Sequence, residues 1–263
     1  MLVGRCKLCL EVAELRNSHF LPASLYRKSR TPGEKNPNPI LVTRDVSVAT
    51  SEQVTDFVLC SECEKRLDVN GERYVMSQVN DGRAFPLLDA LTAISPVRLG
   101  PGGGGRPEFL CYKQSTTPFI KRDHLAYFGL SVFWRASAHK WRGITPIDLG
   151  KYEEVLRTYL LGGAPFPANI AVQLIVCTDN ASQATFFPPA PSLRTRESFR
   201  AYSFQARGIV FILNVGKLLP NPLRDLCFMT GPQKWIVACD WEPKTIEAFR
   251  ELGLGDRPLK LGH

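Results

Sequence analysis

Long apolar runs are missing from this sequence, and that absence sets the first limits on function. No segment approaches the roughly 20 apolar residues that span a bilayer, so we expect no membrane partner. The first ten residues, MLVGRCKLCL, lack the apolar centre of a signal peptide, and a cysteine follows almost at once. We therefore expect a cytoplasmic protein whose thiols stay reduced.

The signatures of several enzyme classes are absent as well. The four glycines at 102–105 are not followed by Gly-Lys-Ser/Thr, and no apolar strand leads cleanly into them. A flexible linker therefore fits this run better than a phosphate-binding loop. Residues 110–263 show no Ser-His-Asp set and no second metal cluster, and nothing in the chain repeats at a fixed period. An activity carried by this part is the least favoured hypothesis.

Cysteine is where the sequence is most informative. Two Cys-x-x-Cys pairs, Cys6 with Cys9 and Cys60 with Cys63, match the ligand set of a structural zinc site, since Zn²⁺ takes four soft ligands in a tetrahedron. A pair of disulfides is the alternative, and a reducing cytosol favours zinc. The other four cysteines, at 111, 177, 227 and 239, lie among apolar residues and are expected to pack as small buried side chains.

The length of the chain is sufficient for one sizeable core and a small satellite unit. Its positive charge favours an anionic partner. The chain has 263 residues, of which 44% are hydrophobic, so it can bury a substantial core. Its formal net charge is +8, and basic side chains bind phosphates with release of counterions. The charge alone is a weak signal, because many basic proteins bind no nucleic acid.

Composition divides the chain into three parts. Residues 1–78 are predicted to form the metal-centred unit, residues 79–109 a linker rich in glycine and proline, and residues 110–263 a larger domain. Within the first part, the basic, proline-rich segment from Arg27 to Pro39 is expected to be an exposed, mobile loop. A short helix is expected from about Cys63 to Leu67, with another short element after it.

The larger domain is predicted to be α+β, with a mainly antiparallel sheet and two or three helices. Apolar residues recur at helical spacing from Leu125 to His139, and a second helix follows Asp148, the proposed N-cap. Four segments rich in β-branched and aromatic residues then predict strands: NIAVQLIVC, FRAYSFQA, GIVFILNVG and KWIVACD. The segment PKTIEAFREL is predicted to close the domain as a helix.

Basic residues at two places are candidates for nucleic-acid contact. One group is Arg27, Lys28 and Arg30, in the loop; the other is Lys140 and Arg142, which flank Trp141 beside His139 and combine charge with a possible stacking ring. Basic residues at a helix end are also common for dipole reasons alone. Arg135, inside the first helix, is expected to be buried and paired with a carboxylate such as Glu153 or Glu154 rather than with a phosphate.

The order Cys-x-x-Cys, Ser-His-x-x-Pro, Leu-Cys-x-x-Cys over roughly the first 70 residues resembles the zinc-containing HNH endonucleases. The resemblance implies a treble-clef, ββα-metal unit in which zinc braces the active-site hairpin and helix. It also implies that His19 is the general base for a water that attacks a phosphodiester. A divalent ion, Mg²⁺ or Mn²⁺, would stabilise the leaving oxygen. The implied partner is nucleic acid, DNA more than RNA.

Other positions depart from the family pattern. Ser18 stands where the family usually has an acidic metal ligand, and Thr55 or Asp56 stands where it has asparagine. Glu64 replaces the final His or Asn, and its carboxylate is a good ligand for a hard ion. Asp56 could assist it. The segments VFWRAS and DLGKYEEVLRTYLL are similar to uncharacterised bacterial proteins that join such a zinc unit to a helical and β-rich domain, a similarity that implies no activity.

Two hypotheses follow. In the first, the chain is a divalent-metal-dependent HNH-type endonuclease with His19 as base and Glu64 as metal ligand, and residues 110–263 provide substrate choice, regulation or a surface for a protein partner. In the second, the zinc unit has kept its scaffold and lost its chemistry, and it binds nucleic acid or a protein without turnover. Ser18 and Thr55 favour the second hypothesis, and His19 is then only a hydrogen-bonded residue near the zinc hairpin.

Overall fold

The chain has an α+β fold, as the sequence predicts, in a computed structural model that describes residues 2–30, 38, 40–42, 47–49, 52–99, 109–192 and 198–241. The strands are β1 (Leu2–Arg5), β2 (Val12–His19), β3 (Ile40–Val42), β4 (Ser47–Ala49), β5 (Thr55–Cys60), β6 (Val97–Leu99), β7 (Phe109–Tyr112), β8 (Ile170–Cys177), β9 (Phe186–Pro191), β10 (Phe199–Ala206), β11 (Ile209–Gly216) and β12 (Ile236–Cys239). The helices are α1 (Ala23–Lys28), α2 (Ser61–Leu67), α3 (Arg73–Gln78), α4 (Pro86–Thr92), α5 (Arg122–Ala138), α6 (Tyr152–Leu160), α7 (Asn180–Ala184) and α8 (Asn221–Asp225).

A small antiparallel sheet in the order β1-β2-β5 carries the paired cysteines. The β2–β5 ladder runs from Leu15 opposite Cys60 to His19 opposite Thr55. The register shifts once, because Val58 has no partner on β2 and forms a bulge. Strands β3 and β4 form a separate two-stranded ladder.

One run of helix begins within the second cysteine pair, at Ser61, and is longer than the sequence predicts. A π-helical turn, Asp68–Glu72, joins α2 to α3, so helical backbone continues from Ser61 to Gln78. Gly71 lies in this turn, and a Cβ there would be only 2.8 Å from the backbone nitrogen of Phe128. The missing side chain therefore lets α5 approach the π-turn closely.

A seven-stranded sheet in the order β6-β7-β12-β8-β11-β10-β9 forms the larger layer. Neighbouring strands run antiparallel except β12 and β8, which run parallel. Helix α5 packs on the sheet where Gly129 meets Phe211 of β11, and Phe128 packs edge-on against Phe204 and Phe211. The four predicted strands are confirmed as β8, β10, β11 and β12, in agreement with their content of β-branched and aromatic residues.

Other elements were not predicted. The segment 79–109 contains α4 and β6, while its glycine run lies outside the described residues. Strand β9 has the sequence FFPPAP; it pairs only with β10, at the edge of the sheet, where a proline need not donate to a neighbour. Helix α6 starts at Tyr152, and Asp148 accepts instead from the amide of Gly150 in the preceding turn. The predicted helix PKTIEAFREL also lies outside the described residues.

The cysteine-bearing unit and the seven-stranded layer share one apolar core. A single buried cluster includes Cys6 and Phe20 of the cysteine-bearing unit together with Phe128 and Phe211 of the larger layer. The described parts of the predicted units 1–78 and 110–263 therefore pack side chain against side chain. Within the described residues, no helix is both long and apolar enough to cross a membrane.

Candidate metal centre and adjoining site

The four paired cysteines come together. Cys6 and Cys9 lie in the turn between β1 and β2, Cys60 ends β5, and Cys63 lies in the first turn of α2. Their sulfur atoms all lie within 4.8 Å of one another, and the Cys9 and Cys60 sulfurs are 3.8 Å apart. Sulfurs at about 2.3 Å from a tetrahedral Zn²⁺ are separated by roughly 3.8 Å. The cluster can therefore hold a metal ion, and its size fits zinc.

Backbone hydrogen bonds shape the first cysteine turn. The amide of Cys6 donates to the carbonyl of Glu11 (2.9 Å), and the amide of Leu10 donates to the carbonyl of Cys6 (2.9 Å). Leu10 has a φ of 67°, in the left-handed region that favours glycine. The amide of Lys7 donates to the carbonyl of Val58, the bulged residue of β5 (3.1 Å), which brings the two cysteine pairs together.

The electrostatics of the cluster favour a bound cation. A hydrogen bond from the Cys63 thiol, assisted by the backbone amides of Cys9 and Cys60, lowers the pKa of Cys6 to about 4 although burial of the thiol opposes the change. The same hydrogen bond raises the pKa of Cys63. Ionisation of Cys63 beside Cys6 is therefore unfavourable without a cation, and a bound metal would compensate the charge as it displaces thiol protons.

His19 and Glu64, the predicted catalytic pair, lie on neighbouring elements. His19 is the last residue of β2 and is half-buried, while Glu64 follows Cys63 in α2, a helix that contacts β2. One carboxylate oxygen of Glu64, Oε1, is buried and has no hydrogen-bond partner among the described residues. Such an oxygen is costly to bury alone, and a cation would satisfy it.

Ser18 has a structural use that the sequence did not indicate. It is 1% exposed, and its hydroxyl accepts a hydrogen bond from the amide of Leu59 (3.1 Å). The bulge at Val58 breaks the regular ladder next to that amide, and the hydroxyl serves as its acceptor. The Ser18 hydroxyl is therefore hydrogen-bonded within the β2–β5 strand pair.

We expect Ser18→Ala to lower the free energy of unfolding by about 1–3 kcal/mol, because it leaves the buried Leu59 amide without an acceptor. Urea unfolding measures this change. Ser77→Ala is the control, because the exposed Ser77 hydroxyl bonds only within its own helix, where it donates to the Tyr74 carbonyl and accepts from the Gln78 side chain. Equal stability of the two variants would contradict the assignment.

Arg135 links α5 to the backbone beside His19. Its side chain is 1% exposed, and it donates to the carboxylate of Glu72 (2.5 Å) and to the carbonyl of Phe20 (3.3 Å). A buried, carboxylate-paired arginine was predicted, but the partner is Glu72. The predicted partners are engaged elsewhere, Glu153 with Ser137 and Glu154 with Arg157.

A histidine–aspartate pair lies at the end of the small sheet where β2 ends and β5 begins. The Nε2 atom of His139 is 2.8 Å from the Oδ2 atom of Asp56. This hydrogen bond holds the pKa of Asp56 below its usual value, and the backbone amide of Phe57 adds to the effect. Asp56 also lines an open cleft of about 590 Å³ with the segment 140–146. The sequence marks both residues as candidates, but 83 positions separate them, and only the fold pairs them.

The predicted nucleic-acid contacts differ in environment. Arg27, Arg30 and Lys140 are exposed, but Arg27 and Lys28 lie in the last turn of α1 and not in a loop. Residues 31–37 and 39 of the predicted loop lie outside the described residues. Lys28 pairs with Asp81 (3.6 Å), and Arg142 pairs with Glu52 across exposed surface (3.7 Å).

Trp141 is not available as a stacking ring, contrary to the expectation from sequence. It is 2% exposed and packs against Phe20, with ring centroids 5.5 Å apart. Its indole nitrogen donates to the carbonyl of Arg135 (2.9 Å). The Trp141 indole N–H therefore satisfies a carbonyl in the last turn of α5. Burial of the large ring also stabilises the core.

Comparisons with protein-family models, with curated proteins and with solved structures found no match to this chain.

Proposed function

We propose that this chain is a zinc-braced, divalent-metal-dependent endonuclease of the HNH type that hydrolyses phosphodiester bonds of nucleic acid, DNA more than RNA. The observation that carries the proposal is the buried, unpartnered Oε1 of Glu64 among the described residues. This oxygen lies one residue after a cysteine of the metal-binding cluster, on a helix that contacts the strand ending in His19. The strand that ends in His19 and the helix that carries Glu64 support the proposal by their contact.

Zinc is the structural ion in this proposal. Four cysteine sulfurs close its coordination shell, which leaves no open position for chemistry and gives the ion a bracing role. The cysteine turn, the paired strands β2 and β5, and α2 would together form a treble clef. A reducing compartment such as the cytoplasm would keep the thiols available to the metal.

His19 would take a proton from the attacking water, and Glu64 would hold Mg²⁺ or Mn²⁺ together with several water molecules. When bound, such an ion stabilises the charge that develops on the leaving oxygen. Arg135 would keep the backbone after His19 in place through its bond to the Phe20 carbonyl. The exposed basic residues Arg27 and Arg30 would attract the phosphate backbone.

We expect the purified chain to nick plasmid DNA when Mg²⁺ or Mn²⁺ is added, and His19→Ala to lower the rate by about 100-fold or more, as loss of a general base does. His124→Ala is the matched control, because the His124 ring lies against Tyr74, outside the hairpin. Cleavage rates on linear DNA and on RNA measure the preference for one type of nucleic acid. A His19→Ala variant that retains zinc and cuts as fast as the parent would refute the assignment.

A non-catalytic binding module is the second candidate, and Ser18 favours it. The Ser18 hydroxyl is engaged with the Leu59 amide, so the position that the resemblance assigns to an acidic ligand contributes none. Such a module would bind nucleic acid with an affinity that falls steeply with salt, and it would cut nothing with either ion. Cleavage and binding assays on the same purified protein decide between the endonuclease and the binding module.

A further inference from the structure

Two arginines hold the first cysteine turn. Arg157 of α6 donates from Nη1 to the carbonyl of Leu8 (2.7 Å), and Arg5, the last residue of β1, donates from Nε to the carbonyl of Leu10 (2.9 Å). Arg157 reaches the turn across 149 positions of sequence, whereas Arg5 is only five positions away from its acceptor. The larger layer and the small sheet therefore each supply one guanidinium group to this turn.

Each of these carbonyls belongs to a peptide group whose N–H donates to a cysteine sulfur. The carbonyl of Leu8 shares its peptide plane with the amide of Cys9, which donates to the Cys6 sulfur. The carbonyl of Leu10 shares its plane with the amide of Glu11, which donates to the Cys9 sulfur. Because the peptide group is planar, holding its C=O also fixes its N–H, and a charged donor at the oxygen polarises that N–H.

The Arg157 side chain is itself held in place. Its Nε and Nη2 atoms donate to the two carboxylate oxygens of Glu154, one turn earlier in α6, both at 2.6 Å. Such a two-point contact fixes the plane of the guanidinium and leaves Nη1 for the Leu8 carbonyl. The Arg157 side chain is only 17% exposed, whereas Arg5 is exposed. We therefore expect Arg157 to hold its peptide group more firmly than Arg5 does.

A zinc ion bound by sulfur alone depends on donors of this kind. Four thiolates carry more negative charge than Zn²⁺ neutralises, and amide hydrogen bonds to the sulfurs stabilise the excess charge. Groups that orient metal ligands from outside the coordination shell typically change metal affinity by about 10- to 100-fold.

We propose that Arg157 and Arg5 are positioning residues of the metal cluster, an inference that rests on the proposed structural zinc and not on nuclease activity. Each arginine orients an amide donor to a cysteine sulfur and thereby slows the release of zinc. Helix α6, and with it the larger layer, then has a role in metal retention.

The rate at which zinc passes from the protein to a chelating dye tests this proposal. Arg157→Met should raise the rate by about 10-fold or more, and Arg5→Met by about threefold. Arg66→Met is the matched control, because Arg66 joins α2 to the end of α6 through the carbonyl of Leu161 (3.0 Å), outside the cysteine turn. The control should change the rate by less than about twofold.

Co²⁺ in place of zinc gives a readout that a loosened fold does not move. A sulfur that loses an amide donor becomes more electron-rich, so the sulfur-to-cobalt charge-transfer band should shift to longer wavelength in Arg157→Met and Arg5→Met. Arg66→Met should keep the band of the parent protein.

An unshifted band in both variants would overturn the proposal even if zinc were released faster, because faster release also follows from a loosened fold. If Arg157→Met does not fold, Arg5→Met decides, since its side chain is exposed and its truncation removes no buried group. Release at the control's rate from both variants would likewise overturn the proposal and leave the structural zinc standing. A parent protein that binds no metal would refute the structural zinc, and the role of the two arginines with it.

Discussion

Cys63→Ser is expected to lose its zinc and to unfold. Structural zinc contributes roughly 10–16 kcal/mol in small zinc domains, which is as large as the whole stability of a typical protein, about 5–15 kcal/mol. The loss should spread beyond the hairpin, because Cys63 and Cys6 belong to the same buried cluster as Phe128 and Phe211. Metal content and near-ultraviolet circular dichroism measure the two effects.

The control for this experiment is a cysteine outside the metal cluster. Cys227 is fully buried in a separate apolar cluster with Leu219 and Phe199. Cys227→Ala should keep one zinc per chain and lose only about 1–2 kcal/mol, the cost of a small truncation in a core. If Cys63→Ser kept its zinc and its tertiary structure, the proposed role of the ion would be wrong.

Arg135→Met is expected to lower the free energy of unfolding by about 3–5 kcal/mol, although it replaces a polar side chain with an apolar one of similar length. The variant leaves the Glu72 carboxylate, whose side chain is only 14% exposed, without its partner. It also removes the donor to the Phe20 carbonyl. Urea unfolding followed by tryptophan fluorescence measures the change.

A double-mutant cycle isolates the buried pair. Arg135→Met combined with Glu72→Leu should recover much of the stability lost by Arg135→Met alone, because no unpaired charge remains. Arg73→Met is the control, since its pair with Asp68 is exposed and should contribute less than about 1 kcal/mol. A coupling energy for Arg135 and Glu72 as small as that of the control pair would contradict the interpretation.

Local chemistry explains what could be predicted from the sequence. The cysteine pairs were recognisable because two short spacers are enough to define four ligands, and their clustering is confirmed. The apolar strands β8 and β11 were recognisable because every residue in them is buried. Strand β9, with its prolines, carried no such signal, because only its place at the sheet edge makes it a strand.

Pairings between distant residues could not be predicted in the same way. Arg135 meets Glu72 across 63 positions, and His139 meets Asp56 across 83 positions. Both depend on the position of α5, which Gly71 lets approach the π-turn closely at Phe128. The role of Ser18 depends on a bulge that has no sequence signature. The catalytic roles of His19 and Glu64 stay predictions.

The account depends on one metal ion that ties the first cysteine turn to the end of β5 and the start of α2. X-ray absorption at the zinc edge, on protein purified without added metal, tests this most directly. We predict one zinc per chain with four sulfur neighbours at about 2.3 Å. A protein without zinc, or a zinc bound through nitrogen or oxygen while the cysteines form disulfides, would contradict the account.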